Sequence, residues 1–428
     1  MTIAEKILAR ASGRARVQPG EIVEPAVDLA MSHENAALVI NQFNEIHQGT
    51  DLSPKVWNPD RIALIFDHRV PAESFKTANN QKKIRQFLAA QGIRKFHEIR
   101  GDEGGICHQI LPENGYVRPG YLVVGTDSHT TSHGALGAFA MGIGATEMAS
   151  IWALGVVLNL EVPATIRVHM HGRLPHRVYA KDLILHLIGR VTANGATFKV
   201  LEFHGSTIER MALSGRLTLC NMSVEAGATA GIVPADQETL RYLKQEAGVK
   251  ERLAPLDADG DAVYDQTVDI DVAGLEPQIA CPHAVDNVKP VSEVAGKRLD
   301  QIVIGSCTNG RFDDLEIAAR ILRGKKVAPG VRLLVFPASG RIYRRAMDEG
   351  VIQALARSGA VIMNSGCGCC LGVHQGALAD GDVALATTNR NFKGRMGNPN
   401  AEVYLCSPAT AAMSAISGRI TDPRKGGS

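Results

Sequence analysis

The 428-residue sequence lacks an excess of charge of either sign. It holds 46 lysines and arginines against 44 aspartates and glutamates, which gives a formal net charge of +2. Nucleic-acid-binding surfaces usually show as a strong basic excess, so this balance argues against RNA or DNA as a partner. A small anionic substrate needs only a few arginines. The length predicts two or three domains rather than a single core.

The sequence also lacks a segment typical of membrane insertion or export. Its longest weakly polar stretch, residues 135–160, contains Glu147 and several glycines and is interpreted as buried loop and helix. The N-terminus has no apolar signal core, and Thr2 and Glu5 stand at the spacing of a helix capping box. We therefore expect a cytoplasmic protein, away from membranes, whose eight cysteines stay reduced.

Aromatic residues are scarce, at 5%, whereas glycine is abundant, at 43 residues. Short apolar runs alternate with helical patterns, such as those over residues 77–91 and 314–323. This alternation predicts an α/β fold with mainly parallel sheets. The apolar runs predicted as buried strands are 62–66, 121–125, 301–305, 331–336 and 383–386.

Polar clusters follow four of these predicted strands. They comprise residues 67–68, 127–129, 306–309 and 387–390. The carboxyl ends of parallel strands carry the ligand sites of open α/β sheets. The four clusters are therefore predicted to contribute to functional sites.

Composition also suggests where domains begin and end. We predict a first domain over residues 1–163 and a second over 164–280. A linker rich in Pro, Asp, Asn and His is expected at 281–294, followed by a third domain at 295–420 and a polar tail at 421–428.

Three cysteines form the most informative constellation. Cys367 and Cys370 make a CxxC pair among small, turn-forming residues, and Cys307 lies upstream in a similar setting. Structural zinc usually has two such pairs, whereas three thiolates suit a [4Fe–4S] cluster with one open iron. Spacing alone leaves zinc, or no metal, open, and it leaves Cys369 as a possible ligand. The isolated cysteines are interpreted as core residues: Cys107, Cys220, Cys281 and Cys406.

The motifs around these cysteines resemble those of the aconitase superfamily. Segments 305–311 (GSCTNGR) and 366–372 (GCGCCLG) are similar to its two cluster motifs. Segments 124–130, 220–229 and 388–395 match its other motifs in the same order. The resemblance covers about residues 25 to 418. Cys369 stands where the family commonly has proline, but the spacing of the paired cysteines is kept.

The resemblance implies three α/β/α layered domains around a central cluster cleft. It also implies a hydro-lyase with one [4Fe–4S] cluster, acting on a small dicarboxylate. The sequence looks like the two-subunit branch, in which the swivel domain is a separate small subunit that carries the carbon-acid base. Its form is closest to isopropylmalate and homoaconitate dehydratases, so isomerisation of 2- and 3-isopropylmalate in leucine biosynthesis is expected.

Site residues follow from the family motifs, residue by residue. The catalytic group implied by the resemblance comprises Asp67, His68, His108, Asp127, His129 and Glu225. The substrate-binding group comprises Ser128, Asn221, Asn389, Arg390 and Arg395, and the cluster ligands are Cys307, Cys367 and Cys370. His33 is a further candidate, whereas His169 and His171 are interpreted as an exposed strand face.

Other functions remain alternatives at this stage. The same chemistry could act on homoaconitate, dimethylmalate or another methyl-substituted malate. An RNA-binding apo-protein is disfavoured by the charge balance. A zinc or electron-transfer protein would share the cysteines but not the acid–base residues.

Overall fold

The computed structural model describes residues 1–49 and 53–425. Its strands, in chain order, are β1 (Ile22–Val23), β2 (Leu29–Ser32), β3 (Ile62–Ile65), β4 (Lys95–His97), β5 (Leu122–Gly125), β6 (Phe139–Gly142), β7 (Leu160–Glu161), β8 (Thr165–His171), β9 (Val200–His204), β10 (Ala230–Ile232), β11 (Gln266–Asp271), β12 (Gln278–Ala280), β13 (Val288–Pro290), β14 (Gln301–Gly305), β15 (Arg332–Phe336), β16 (Val361–Ile362), β17 (Val383–Ala386) and β18 (Glu402–Cys406).

Helices connect most of these strands. The α-helices are α1 (Ile3–Ala11), α2 (Ala36–Ile46), α3 (Phe75–Gln91), α4 (Cys107–Glu113), α5 (Ala145–Leu154), α6 (Ala180–Val191), α7 (Ser206–Glu209), α8 (Leu213–Met222), α9 (Gln237–Gln245), α10 (Val291–Val294), α11 (Ser306–Asn309), α12 (Phe312–Leu322), α13 (Gly340–Asp348), α14 (Val351–Ser358) and α15 (Pro408–Ser417). Short 3₁₀ helices span Pro59–Arg61, Ser128–Leu136, Ser223–Ala226, Gly368–Leu371 and Pro423–Lys425. Within the described ranges, no helix combines the length and apolar character needed to cross a membrane.

Three larger sheets organise the molecule, and they are mainly parallel. The first has the order β4-β3-β2-β5-β6 and the second the order β10-β9-β8-β11; all pairs in both are parallel. The third has the order β13-β12-β18-β17-β14-β15-β16, in which only the pairs made by β12 are antiparallel. The predicted α/β class with mainly parallel sheets is confirmed.

Both faces of the first sheet are buried. Alternate residues of its central strands, such as Met31 and Ala63, enter a core shared with the second and third sheets. Their neighbours Ala30 and Leu64 enter a second core with α1, α2 and α5. Because both faces are covered, these strands read as continuous apolar runs. A third core packs β14 and β15 against α12 and α15.

Local sequence signals account for most of these elements. Thr2 and Glu5 form the predicted capping box at the start of α1, and all five predicted strands are present within one residue at either end. The stretch 135–160 differs from its interpretation as loop and helix, because it contains strand β6 as well as α5. β6 pairs with β5 at the sheet edge, a long-range pairing that local composition does not reveal.

The predicted domain boundaries stay predictions. Within the expected linker, residues 288–290 form β13, which pairs antiparallel with β12, and residues 291–294 form α10. Residues 423–425 of the expected tail form a 3₁₀ helix in which Pro423 is buried. Residues 426–428 of that tail lie outside the described residues.

Gly134 lies in the 128–136 helix, where it packs closely against strand β10 of the second sheet. A Cβ built there would lie 1.7 Å from the carbonyl oxygen of Gly231 in β10. We expect Gly134→Ala to lower the free energy of unfolding by about 3 kcal/mol or more, because backbone must move on both sides. Thermal unfolding would measure this. Gly260→Ala is the matched control, since nothing lies within 4 Å of its Cβ position; equal melting temperatures for the two variants would contradict the prediction.

Candidate active site and metal centre

The four polar clusters all lie at the carboxyl ends of strands, as predicted. Residues 67–68 follow β3, 127–129 follow β5, 306–309 follow β14 and 387–390 follow β17. β3 and β5 flank β2, and β14 and β17 are neighbours in the third sheet. The backbone N–H of Cys367 donates to the carbonyl oxygen of Asp67 over 2.8 Å, so the first and third sheets meet at this site.

A sharp turn after β14 presents Cys307. Gly305 has φ of +140° and Ser306 has φ of +68°. A Cβ at position 305 would lie 2.3 Å from the carbonyl oxygen of Phe336 in the adjacent strand. Glycine is therefore required there both for its backbone angle and for the close approach of β15. Ser306 is held in a conformation that non-glycine residues rarely adopt.

Two of the three candidate ligand sulfurs, those of Cys307 and Cys370, meet at one asparagine. Asn389 donates its amide to Cys307 Sγ at 3.3 Å, and its Oδ1 accepts from Cys370 Sγ at 3.4 Å. Asn221 donates to Cys307 Sγ at 3.2 Å. The hydrogen bond with Cys367 holds the pKa of Cys370 well below its usual value, against burial and with help from Arg395. Arg395 Nη2 lies 3.5 Å from Cys370 Sγ.

This donor set fits an iron–sulfur cluster. The three thiol groups are buried, Cys370 interacts with Cys367 and is linked to Cys307 through Asn389, and amide and guanidinium donors point at two of the sulfurs. Such donors are what ligating thiolates receive in iron–sulfur sites. No ion pair or disulfide involves the eight cysteines, all of which are free and buried in the described chain. Cys369 has no such donors, and burial raises the pKa of its thiol.

The carboxylate of Asp127 lies near three histidines. Asp127 Oδ1 lies 2.7 Å from His108 Nε2, and it accepts the backbone N–H of His129 at 2.8 Å. Asp127 Oδ2 lies 3.4 Å from His68 Nε2. On the far side of His68, Nδ1 lies 2.6 Å from Asp67 Oδ1. This partly buried carboxylate thus contacts histidines from the loop after β3, from α4 and from the 128–136 helix.

These contacts give the histidines different proton affinities. Burial would lower the pKa of His68, but Asp67 and Asp127 outweigh it and hold that pKa well above the usual value. Burial likewise opposes the raised pKa of His129, which Asp127 and Glu225 bring about. For His108 the effect of burial is larger than that of Asp127, and the pKa of this histidine is lowered. The site therefore combines protonated and neutral imidazoles, as acid–base chemistry requires.

Glu225 links this network to the arginine that follows β17. His129 Nε2 lies 2.8 Å from Glu225 Oε1, and Arg390 Nε donates to the same oxygen at 2.8 Å. Asn221 is fully buried and also donates to Ser132 in the 128–136 helix. Ser128 is half-buried, with Oγ 3.5 Å from His129 Nδ1. Each sequence-predicted site residue therefore lies in one connected region.

His33 and Glu34, which directly follow β2, complete this end of the sheet. The ring of His33 stacks on that of His68 with centroids 4.1 Å apart. Glu34 accepts the backbone N–H groups of His68 and Arg69 at 3.2 and 2.9 Å. Glu34 is not among the residues predicted from the sequence, although its place directly after an apolar run was the available signal. The ligand atoms of His33, Glu34, Asp67 and His68 lie within 4.8 Å of one another, a grouping that could hold a metal ion.

The histidine pair on β8 lies elsewhere. His169 and His171 both contact Asp269 of β11, at 2.7 and 3.0 Å. All three side chains are exposed, which confirms the interpretation of an exposed strand face.

Comparisons with known proteins agree with this geometry. A family model described as the aconitase family (aconitate hydratase) matches residues 5–418. A probable 3-isopropylmalate dehydratase large subunit from Methanothermobacter thermautotrophicus is 51% identical over 99% of this chain and 99% of its own length. The 3-isopropylmalate dehydratase large subunit 1 of Methanopyrus kandleri is 50% identical over 99% of both chains.

A relative with a different name is nearly as similar. A probable methanogen homoaconitase large subunit from Methanothermobacter thermautotrophicus is 47% identical over 99% of this chain and 98% of its own length. The family match and the three full-length similarities bear out the resemblance carried by the motifs. The chain belongs to the aconitase family.

Proposed function

We propose that this chain is the large catalytic subunit of a [4Fe–4S] hydro-lyase that interconverts 2-isopropylmalate and 3-isopropylmalate through a dehydrated intermediate. This reaction belongs to leucine biosynthesis. One observation carries the proposal: Asn389 contacts the sulfurs of Cys307 and Cys370, and Cys370 interacts with Cys367, beside a network of histidines and carboxylates. The names of two full-length relatives at about half identity support the choice of substrate.

Cys307, Cys367 and Cys370 would hold the cluster. When bound, it would supply a Lewis-acidic iron with an open coordination position, which polarises the hydroxyl group of the substrate. Asn221 and Asn389 would keep the sulfurs in place through their amide groups. A cytoplasmic location is proposed with this, because free cysteines persist where thiols are kept reduced.

The chain's own residues would then bind the dicarboxylate and move protons. Arg390 and Arg395 supply guanidinium groups, which pair with carboxylates through two parallel hydrogen bonds. Ser128 Oγ would add a hydrogen bond. The hydrogen-bonded pair of His129 and Glu225 would hold a proton for the leaving hydroxyl group, and His108, held by Asp127 and lowered in pKa by burial, would accept one.

A partner is part of the proposal. In two-subunit relatives the carbon-acid base is expected on a swivel domain, and the relatives compared here are named large subunits. We infer that a small subunit covers the cleft and supplies that base. The large chain alone would then bind the cluster but remain inactive.

Reconstitution tests this proposal. When the small subunit is omitted, turnover of 3-isopropylmalate by the anaerobically loaded chain should be at least ~10²-fold lower than in the complete complex, because proton transfer from carbon lacks its base. The ultraviolet absorbance of the dehydrated intermediate measures the rate at which it forms. Full turnover by the large chain alone would reject the two-subunit proposal. Zinc without sulfide in the purified chain would reject the cluster.

A second substrate has a specific observation in its favour. The relative named homoaconitase large subunit is 47% identical over nearly the full length. The same reconstituted complex should therefore be offered homoaconitate and dimethylmalate alongside 3-isopropylmalate. The proposal expects the highest kcat/KM for 3-isopropylmalate, and a higher value for homoaconitate would replace it with the second function.

A further inference from the structure

Two buried cationic side chains contact the loops that carry the cysteine site. Lys181 of α6 has no exposed surface, and Arg311, which precedes α12, is 5% exposed. No carboxylate oxygen lies within 4.0 Å of either cationic group in the described part of the chain. Buried cations are costly unless something nearby balances their charge. The charge of Arg216, another buried cation, is balanced in the usual way, because two hydrogen bonds of 2.7 Å pair it with Asp236.

Each of the two cations binds a pair of consecutive backbone carbonyls. Lys181 Nζ donates to the carbonyl oxygen of Thr387 at 2.8 Å and to that of Thr388. Arg311 donates through Nη2 to the carbonyl of Cys307 and through Nη1 to that of Thr308, both at 2.8 Å. Cys307 and Thr308 belong to the four-residue helix α11, whose carbonyls have no partner within the helix, whereas Thr387 and Thr388 follow β17. The cations therefore fix the backbone immediately beside Cys307 and immediately before Asn389.

These two loops meet at the cysteine sulfurs. Asn389 bonds both Cys307 and Cys370, so a shift of residues 387–388 would move an amide that touches two sulfurs. Burial lowers the pKa of Lys181 to about 8, and the charges of Cys406, Cys370 and Cys307 act in the opposite direction. Negative charge at the cysteine site, and at Asp314, would therefore favour the charged form of the lysine. A cluster held by three thiolates is negative overall, and a dicarboxylate would add two further charges.

We propose that Lys181 and Arg311 are positioning residues whose buried charges balance the negative charge of the cysteine-bound cluster while they hold the loops of Cys307 and Asn389. The inference rests on the proposed function for the presence of a cluster. It adds that the cluster's charge is compensated by the two cations that bind the backbone of residues 307–308 and 387–388. The loaded protein should therefore depend on these cations more than the cluster-free protein does.

The test compares Lys181→Met and Arg311→Met in the complete two-subunit complex. Removing a positive charge near the cluster disfavours its reduction, so both variants should show a lower midpoint potential by redox-titrated electron paramagnetic resonance. Iron should be lost roughly 10–100-fold faster, as for other changes beside ligands. The melting temperature should fall more in the loaded form than in the cluster-free form, because only the loaded form contains the balancing charge.

Arg216→Met is the matched control. It also removes a buried cation, but one that Asp236 already balances. It should lower the melting temperatures of loaded and cluster-free protein equally and leave the potential unchanged. If Lys181→Met does not fold, Lys181→Gln and Arg311→Lys replace the two methionine variants. Arg311→Lys keeps the charge but loses the two-pronged contact, so it should keep the potential while lowering kcat.

Two results would overturn the inference. One is an unchanged potential in the charge-removing variants; the other is an equal loss of melting temperature with and without the cluster. Either would leave Lys181 and Arg311 with a merely structural role. Failure of the proposed function looks different, because the unmodified chain would then bind no iron and sulfide at all.

Discussion

Replacing Cys307, Cys367 or Cys370 by serine is expected to abolish turnover in the reconstituted complex, with kcat lowered by at least about 10³-fold. A Lewis-acidic metal contributes several kcal/mol of charge stabilisation to such a reaction, and each 1.36 kcal/mol corresponds to tenfold in rate. Losing one of three thiolates should destabilise the whole cluster rather than weaken one bond. Iron and sulfide analysis, together with the visible absorbance of the cluster, would measure that loss directly.

Cys369→Ala is the matched control for these variants. Cys369 lies between Cys367 and Cys370 and is equally buried, at 1% exposed. Its sulfur receives no hydrogen bond from Asn221, Asn389 or Arg395, so we expect iron content and kcat within about threefold of the unmodified protein. Loss of iron in Cys369→Ala, with retention in one of the three serine variants, would show that the ligand set is misassigned.

The strand ends were predictable because two independent patterns coincide there. The apolar run at 301–305 and the polar cluster that follows it need no long-range information, and the same is true of Asp67 after β3. In buried parallel sheets both faces are covered, so a strand shows as an unbroken apolar run. The rule that ligands bind beyond the carboxyl ends of strands then places these clusters correctly.

The supporting residues could not be found in the same way. Lys181 reads as the first charged residue of an amphipathic helix, and nothing nearby in sequence indicates that it binds carbonyls some 200 positions further along, at residues 387 and 388. Glu34 acts through the backbone of residues 68 and 69, which is equally remote from it. Such contacts depend on how sheets pack together, and single-sequence patterns carry no information about that packing.

Strand pairing at the sheet edges is a second feature that the sequence patterns did not predict. β6 and the β12–β13 hairpin are short, and the hairpin lies in a stretch rich in turn residues. Short edge strands gain most of their stability from the neighbouring strand rather than from their own composition. The apolar patterns therefore identify β3, β5, β14, β15 and β17, but they leave the edges and several interior strands, such as β2, β9 and β18, to tertiary structure.

Replacing Asp127 by asparagine is the second change with a large expected effect, lowering kcat by roughly 10²–10⁴-fold. Asp127 is the single carboxylate that contacts His68, His108 and His129. Hydrogen bonds from these histidines outweigh burial and hold its pKa well below the usual value, so it is ionised throughout the working range. Asparagine keeps the shape but removes the charge that orients all three rings.

The pH dependence of Asp127→Asn distinguishes loss of charge from loss of fold. Asp127 helps to raise the pKa values of His68 and His129, so without it their protonated forms are lost at lower pH. The alkaline limb of the kcat profile should therefore move to lower pH, whereas a variant that had merely lost its fold would lose activity without such a shift. Asp269→Asn is the matched control, because Asp269 also contacts two histidines, but on an exposed strand face. It should leave kcat unchanged; an equal loss in both variants, or an unmoved alkaline limb in Asp127→Asn, would mean that the carboxylate at Asp127 does not govern the protonation of the site.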